Sequence, residues 1–179
     1  MRITGGKYRG RLIACPRGEI RPAMDRMRES LFAILGDLTG QAFLDLFSGS
    51  GLVGIEAASR GASPVVLVER DRGKRDVIRR NLSFVEEETH LFIMPVERFL
   101  RCTKEQFDII YLDPPFAMPG KDSLIRRIDE LNLLKAYGMV ILHHPKEDVI
   151  PEEIGNLFLC DRRTYGRSIL VFMRRKNED

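Results

Sequence analysis

The chain has 179 residues, 44% hydrophobic and 31% charged, with a net charge of +3; this length suits one buried core and a single domain over residues 1–179. No stretch approaches the roughly 18 apolar residues of a membrane span, the start MRITGGKYRGR lacks the apolar core of a signal peptide, and Cys15, Cys102 and Cys160 are too scattered for a disulfide framework or a zinc site. A cytoplasmic protein with reduced thiols, no metal and no membrane partner is expected.

Charge is uneven along the chain. From Met1 to Ser30 eight Lys or Arg stand against three acids, a net +5, which leaves −2 for the remainder. A basic end on a mildly acidic body suits a polyanionic partner; a solvated basic tail is the alternative. Residues 1–20 read as a basic appendage with glycine turns at Gly5-Gly6 and Gly10. In it Lys7, Tyr8, Arg9 and Arg11 combine cations with an aromatic ring, a composition suited to RNA phosphates and stacked bases. Asp25 is placed to cap a helix running to about Leu35, with Met27, Leu31, Phe32, Ile34 and Leu35 at roughly helical spacing. Arg26 and Arg28 then fall in its first turn, where the macrodipole disfavours cations. They are expected to pair with acids or to meet RNA or a cofactor carboxylate.

From residue 42 onward strands and helices alternate. AFLDLF is a strand, followed by a helix over Leu52 to Ser59. PVVLVE is the second strand, and Asp71 can cap the helix RGKRDVIRRNLSF. HLFIM, FDIIYL and GMVILHH are further strands, separated by the helices VERFLRC and SLIRRIDELNLL. LFLCDRRTYGRSILVFMRR reads as two strands joined near Gly166. The pattern predicts an α/β fold, a doubly wound, mostly parallel seven-stranded sheet with a C-terminal antiparallel hairpin.

The stretch FLDLFSGSGLVGIEA leaves the first strand and opens a helix, with Gly49, Gly51 and Gly54 in G-x-G-x-x-G spacing and Glu69 at the end of the second strand. Glycines admit a sharp turn and a close ligand, and the carboxylate can hold two ribose hydroxyls. NAD(H) and S-adenosylmethionine both use such a loop. Asp45 distinguishes them: its charge repels a pyrophosphate at the helix start and suits the ammonium of a methionine moiety. S-adenosylmethionine is therefore the expected cofactor, with Asp45, Phe47, Gly49, Ser50, Gly51, Glu69 and Arg70 as candidate binding residues.

After the fourth strand comes DPPF, Asp113 to Phe116. In a doubly wound sheet this strand end lies beside that of the first strand. A nucleobase amine is a poor nucleophile because its lone pair is delocalised; accepting its hydrogen bonds with the Asp113 carboxylate and the Pro114 carbonyl favours a reactive geometry. Pro114 and Pro115 hold those acceptors rigidly, and Phe116 can stack on a base taken out of its helix or loop.

DLFSGSG and DPPF, preceded by GGKYRGR (Gly5 to Arg11) and RPAMDRMRESLF (Arg21 to Phe32), make the chain resemble the bacterial 16S ribosomal RNA guanine-N2 methyltransferases over nearly its whole length. The resemblance implies a Rossmann-like S-adenosylmethionine-dependent methyltransferase fold and a guanine of 16S rRNA, presented on an assembling small subunit, as substrate. It also implies that Asp45, Ser48, Gly49 and Gly51 surround the methionine part of the cofactor, that Glu69 holds its ribose and that Asp113 to Phe116 hold the guanine. Methyltransferases of this kind often place Asp or Asn after the third strand to bind the adenine amine. Here Pro95 stands there, so the adenine edge is assigned to the Val96 backbone and the Glu97 side chain. Three alternatives remain: an adenine-N6 nucleic-acid methyltransferase, for whose usual target-recognition region the chain has little room; an NAD-dependent oxidoreductase; and a non-catalytic RNA-binding assembly factor. His143 and His144 are adjacent on a strand, point to opposite faces and are poorly placed to chelate one metal. A monomer is expected.

Overall fold

The computed structural model describes residues 1–15 and 22–176; Arg17 and Arg21 of the basic segment lie outside them. Among the described residues eight strands form one sheet: β1 (Phe43–Leu46), β2 (Val65–Glu69), β3 (Thr89–Ile93), β4 (Phe107–Leu112), β5 (Leu134–Pro145), β6 (Glu153–Ile154), β7 (Leu157–Tyr165) and β8 (Ser168–Arg175). Their order is β3-β2-β1-β4-β5-β8-β7-β6. Pairing is parallel from β3 to β5 and antiparallel from β5 through β8 and β7 to β6. This is the expected mostly parallel sheet with its C-terminal hairpin; the two-residue β6 adds an eighth strand at the hairpin edge.

Among the described residues five α-helices cover the faces: α1 (Pro22–Leu35), α2 (Leu52–Ser59), α3 (Arg75–Leu82), α4 (Val96–Cys102) and α5 (Lys121–Glu130). Among the boundaries that differ from expectation, two have a clear local cause. α1 starts at Pro22, where a fixed φ suits the first helical position, so Asp25 lies inside the first turn rather than capping it. α5 stops at Glu130 because Asn132 turns to φ 53°, and Leu134 is thereby delivered to β5 instead of extending the helix. Asp71 accepts a hydrogen bond from the Gly73 N–H at 2.9 Å, capping the 3-10 turn that leads into α3.

The two-residue period of the strands divides the core. Leu44, Leu46, Ile110, Leu112, Val140 and Leu142 face α4 and α5, while Phe43, Leu67, Ile109, Tyr111 and Ile141 face α1 and α2. Each fully buried aliphatic side chain contributes about 1.5–3 kcal/mol. Among the described residues no helix is long and apolar enough to cross a membrane.

The N-terminal segment is a docked strap, not a solvated tail. Ile3, Tyr8 and Ile13 pack on Leu52 and Ile55. The fully buried Glu56 accepts the Thr4 N–H at 2.9 and 3.1 Å and the Thr4 hydroxyl, with Arg28 at 3.8 Å and Arg60 at 4.0 Å. Ser59 donates to the Gly5 carbonyl at 2.5 Å, and Asn81 bonds both the N–H and the carbonyl of Ala14, at 3.0 and 2.8 Å. Arg28 is buried, with Arg2 carbonyl at 2.9 Å and Asp25 at 3.3 Å; of the alternatives open for it, pairing with acids is the one the fold realises.

Removing one charge from such a buried network leaves its partners uncompensated. Glu56→Ala is expected to lower the unfolding free energy by about 3–5 kcal/mol and to expose the strap to trypsin at Lys7 and Arg9. Denaturant melts and limited proteolysis check both effects.

Candidate active site

β1 and β4 run side by side with Leu46 opposite Leu112, so both end at one level. The chain turns at once after β1, with Phe47 at φ 64°, a left-handed conformation costing a non-glycine residue about 1–3 kcal/mol. Gly49 follows at φ 60°, and a Cβ there would meet nothing within 4 Å. Its backbone therefore lies open to an approaching ligand. Glu69, at the end of β2, accepts the Gly49 N–H at 2.8 Å through Oε2 and the Asp71 N–H at 3.0 Å through Oε1. Held by both oxygens, the carboxylate retains acceptor capacity for a vicinal diol.

Asp45 lies under this loop rather than on its surface. It is only 1% exposed, and its Oδ2 accepts the Gly54 N–H at 3.1 Å, while the Ser48 hydroxyl donates to its carbonyl at 2.8 Å. Gly54 is needed for this approach, since a Cβ there would come within 2.9 Å of Leu67 Cδ2 and 3.3 Å of the Asp45 carboxylate. Asp45, expected to meet a methionine ammonium, does not line the cleft at these strand ends; its carboxylate is turned to the backbone of the loop. The carboxylate occupies a donor at the start of α2, the place where a dinucleotide pyrophosphate would bind. Burial pushes the Asp45 carboxyl up to about 8; the Gly54 N–H opposes the shift, and the charges of Asp113 and Glu69 add to it.

A cleft of about 1100 Å³ runs along these strand ends. Phe47, Gly49, Glu69, Arg70, Val96 and Glu97 line one part of it, and Asp113, Pro114, Pro115 and Phe116 another. Val96 and Glu97 begin α4 directly after Pro95. Ser48, Ser50 and Gly51 are not in the wall: Ser48 is buried, the Ser50 carbonyl accepts from Asn81 at 2.9 Å, and Gly51 caps α2 in the left-handed region. Tyr165, Arg167 and Ser168 of the β7–β8 hairpin also line the cleft. The sequence did not single them out for the site, because only the sheet order carries the hairpin there.

Around DPPF, the Pro115 carbonyl accepts from the Met118 N–H at 2.9 Å, while no partner is recorded for the Pro114 carbonyl among the described residues. Phe116 is 37% exposed. The buried Lys121 donates to the carbonyls of Phe116 and Met118, each at 2.8 Å, and to Asp148 at 2.5 Å. Its three ammonium protons are thus all used. The Asp113 carboxylate receives a 2.8 Å hydrogen bond from His143 Nδ1. Neither Lys121 nor His143 was recognisable as a site residue from spacing alone.

None of Lys7, Tyr8, Arg9, Arg11, Arg26 and Arg28, expected to contact RNA outside the DPPF segment, lines the cleft. Tyr8 is buried with its ring edge-on to Phe84, and its hydroxyl donates to Glu87 at 2.6 Å, so it is not available to stack on a base. Lys7 pairs with Glu86 and, at 3.4 Å, with Glu87. Arg9, Arg11 and Arg26 are exposed, with Arg11 over the Phe84 ring at 4.8 Å.

Two outcomes are expected. Because the Asp45 carboxyl is raised in the folded state, its contribution to stability is fully present below the ordinary Asp range and is lost as pH rises through about 8. Asp45→Asn keeps an acceptor for Gly54 without that titration, so its stability relative to wild type should increase between pH 4 and 8 by on the order of a few kcal/mol, measured by denaturant melts across pH. Lys121→Met strands two carbonyls and Asp148, and should cost about 2–4 kcal/mol with faster proteolysis of the loop after Phe116.

A family described as conserved hypothetical protein 95 matches residues 1–174. The Haemophilus influenzae ribosomal RNA small subunit methyltransferase D is 32% identical over 175 residues, covering 93% of this chain and 89% of that protein. The Escherichia coli protein of the same name is 29% identical over 170 residues, covering 93% and 86%. A solved Escherichia coli structure provisionally named methyltransferase yhhF superposes with a TM-score of 0.87 at 28% identity, covering 99% of each chain. The fold is thus the Rossmann-like fold of S-adenosylmethionine-dependent methyltransferases. Since the family match takes in the strap, the glycine loop and the DPPF segment alike, the chain belongs to the conserved hypothetical protein 95 family.

Proposed function

We propose that this rRNA methyltransferase methylates the exocyclic N2 of a guanine in 16S rRNA, acting as a cytoplasmic, single-domain monomer on the assembling small subunit. The observation that carries the reading is that Asp113 to Phe116 share one cleft with Gly49 and Glu69, so base acceptors and cofactor-binding groups open onto the same space.

The residues present fit S-adenosylmethionine: Glu69 is braced to accept from ribose hydroxyls, Gly49 leaves room for close approach, and Asp45 closes the helix start to a pyrophosphate. When bound, this cofactor supplies an electrophilic sulfonium methyl group. Val96 and Glu97 would border the adenine, and Phe47 the methionine part. On the substrate side Phe116 offers a half-exposed ring for stacking. Asp113 and the Pro114 carbonyl accept the two amine hydrogens, withdrawing the nitrogen lone pair from conjugation with the base, and Asp113 is placed to receive the proton released as the N–C bond forms. The rigid proline backbone keeps reorganisation of the acceptors small. Choice of guanine over adenine rests on the resemblance in the strap and α1, because the same acceptor pair suits either exocyclic amine.

The test is incubation with tritiated S-adenosylmethionine and under-methylated small subunits, followed by digestion and identification of the labelled nucleoside. Label in N2-methylguanosine, reduced about 10²–10⁴-fold by Asp113→Ala, is the expected result. Label in N6-methyladenosine would reject the guanine assignment, and RNA binding unaltered by the substitution with no label at all would favour an assembly factor.

A further inference from the structure

β5 lies beside β4 with Leu112 opposite Leu142, so the next residue of each strand, Asp113 and His143, meet at the cleft floor. His143 is 2% exposed, yet it belongs to the cleft lining. Its Nδ1 lies 2.8 Å from Asp113 Oδ1. An ionised carboxylate only accepts, so Nδ1 carries the hydrogen. The same imidazole meets the Phe116 ring edge-on, with centroids 5.1 Å apart and planes at 74°. His143 Nε2 is buried with no hydrogen-bond partner among the described residues. The neighbouring His144 belongs to the opposite face and bonds the Pro145 carbonyl instead.

Two functional groups of DPPF thus converge on one side chain from another strand. We propose that His143 is a positioning residue for methyl transfer: its Nδ1–H holds Asp113 Oδ1 so that Oδ2 is presented to the amine, and its ring sets the orientation of Phe116. This rests on the amino-methyltransferase reading of the site. Without the imidazole, Asp113 is free to rotate about its side-chain torsions and Phe116 loses the surface it leans on. The chemistry and its proton balance are unchanged, because His143 neither receives nor loses a proton in this role.

The experiment compares His143→Leu, which removes both contacts, with His143→Asn, which retains a side-chain N–H near the place of Nδ1 but no ring. Expected for His143→Leu is a fall in kcat of about 10- to 100-fold and a raised KM for the RNA, with cofactor Kd and melting temperature close to wild type. His143→Asn should restore kcat to within about fivefold of wild type while KM for the RNA stays raised, since only the carboxylate has regained its partner. A wild-type kcat in His143→Leu, equal damage in both variants, or a loss that follows cofactor affinity or folded fraction would overturn the proposal. A second arm needs no turnover: ¹⁵N NMR of the ligand-free protein should show His143 protonated at Nδ1 and that resonance displaced in Asp113→Ala. An unprotonated Nδ1, or a resonance indifferent to Asp113→Ala, would overturn it as well. If the wild-type protein labels no nucleic acid but the NMR result holds, the reading of the site fails while the Asp113–His143 coupling stands.

Discussion

Parallel pairing of β1 with β4 is the constraint from which the site follows. Because Leu46 and Leu112 stand opposite one another, the glycine loop and DPPF leave the sheet at the same height and on adjacent paths. The pairing of β1 with β2 then brings Glu69 under Gly49, and that of β4 with β5 brings His143 to Asp113. Each functional group is therefore located by backbone hydrogen bonds deep in an apolar sheet, where a one-residue slip would turn the side chains to the opposite face.

Electrostatics inside this frame favours a defined division of labour among the carboxylates. Asp45 is enclosed and bonded to the backbone that it shapes, Glu69 is braced by two amides, and Asp113 opens to the cleft on one side and to an imidazole on the other. The strap and α1 show a parallel division among cations. Lys7 and Arg28 serve the fold, whereas Arg9, Arg11 and Arg26 remain exposed. Arg167 of the cleft lining pairs with Glu147 at 2.7 Å, an exposed ion pair of small energetic weight.

Groups defined by local sequence were legible from it: the G-x-G-x-x-G turn with Glu69 at its expected distance, and the proline-stiffened acid after a buried strand. What escaped was what depends on pairing between distant segments. The two-residue period separates His143 from His144, but only the β4–β5 register tells which one faces Asp113. Tyr8 looked like an RNA ring because its neighbours are cations; the acids that claim its hydroxyl and Lys7 lie nearly 80 residues away. Lys121 follows a glycine at a helix start, an ordinary surface setting for lysine, and its burial arises from three acceptors that the folded loop gathers. Asp45 was legible as the acid that leads into the glycine loop, but its depth comes from the loop closing over it.

The sheet order has a consequence for assembly of the fold. β8 is the last strand among the described residues, yet it sits between β5 and β7, pairing along Met139 to Pro145. Until Ser168 to Arg175 arrive, β5 offers a long open edge whose residues from Gly138 to Pro145 become buried in the finished protein. Such an edge is a template for pairing with other chains. Late insertion of β8 thus separates a productive folding route from intermolecular association, and a chain cut short within the hairpin would carry its wall of active-site strands as an adhesive surface.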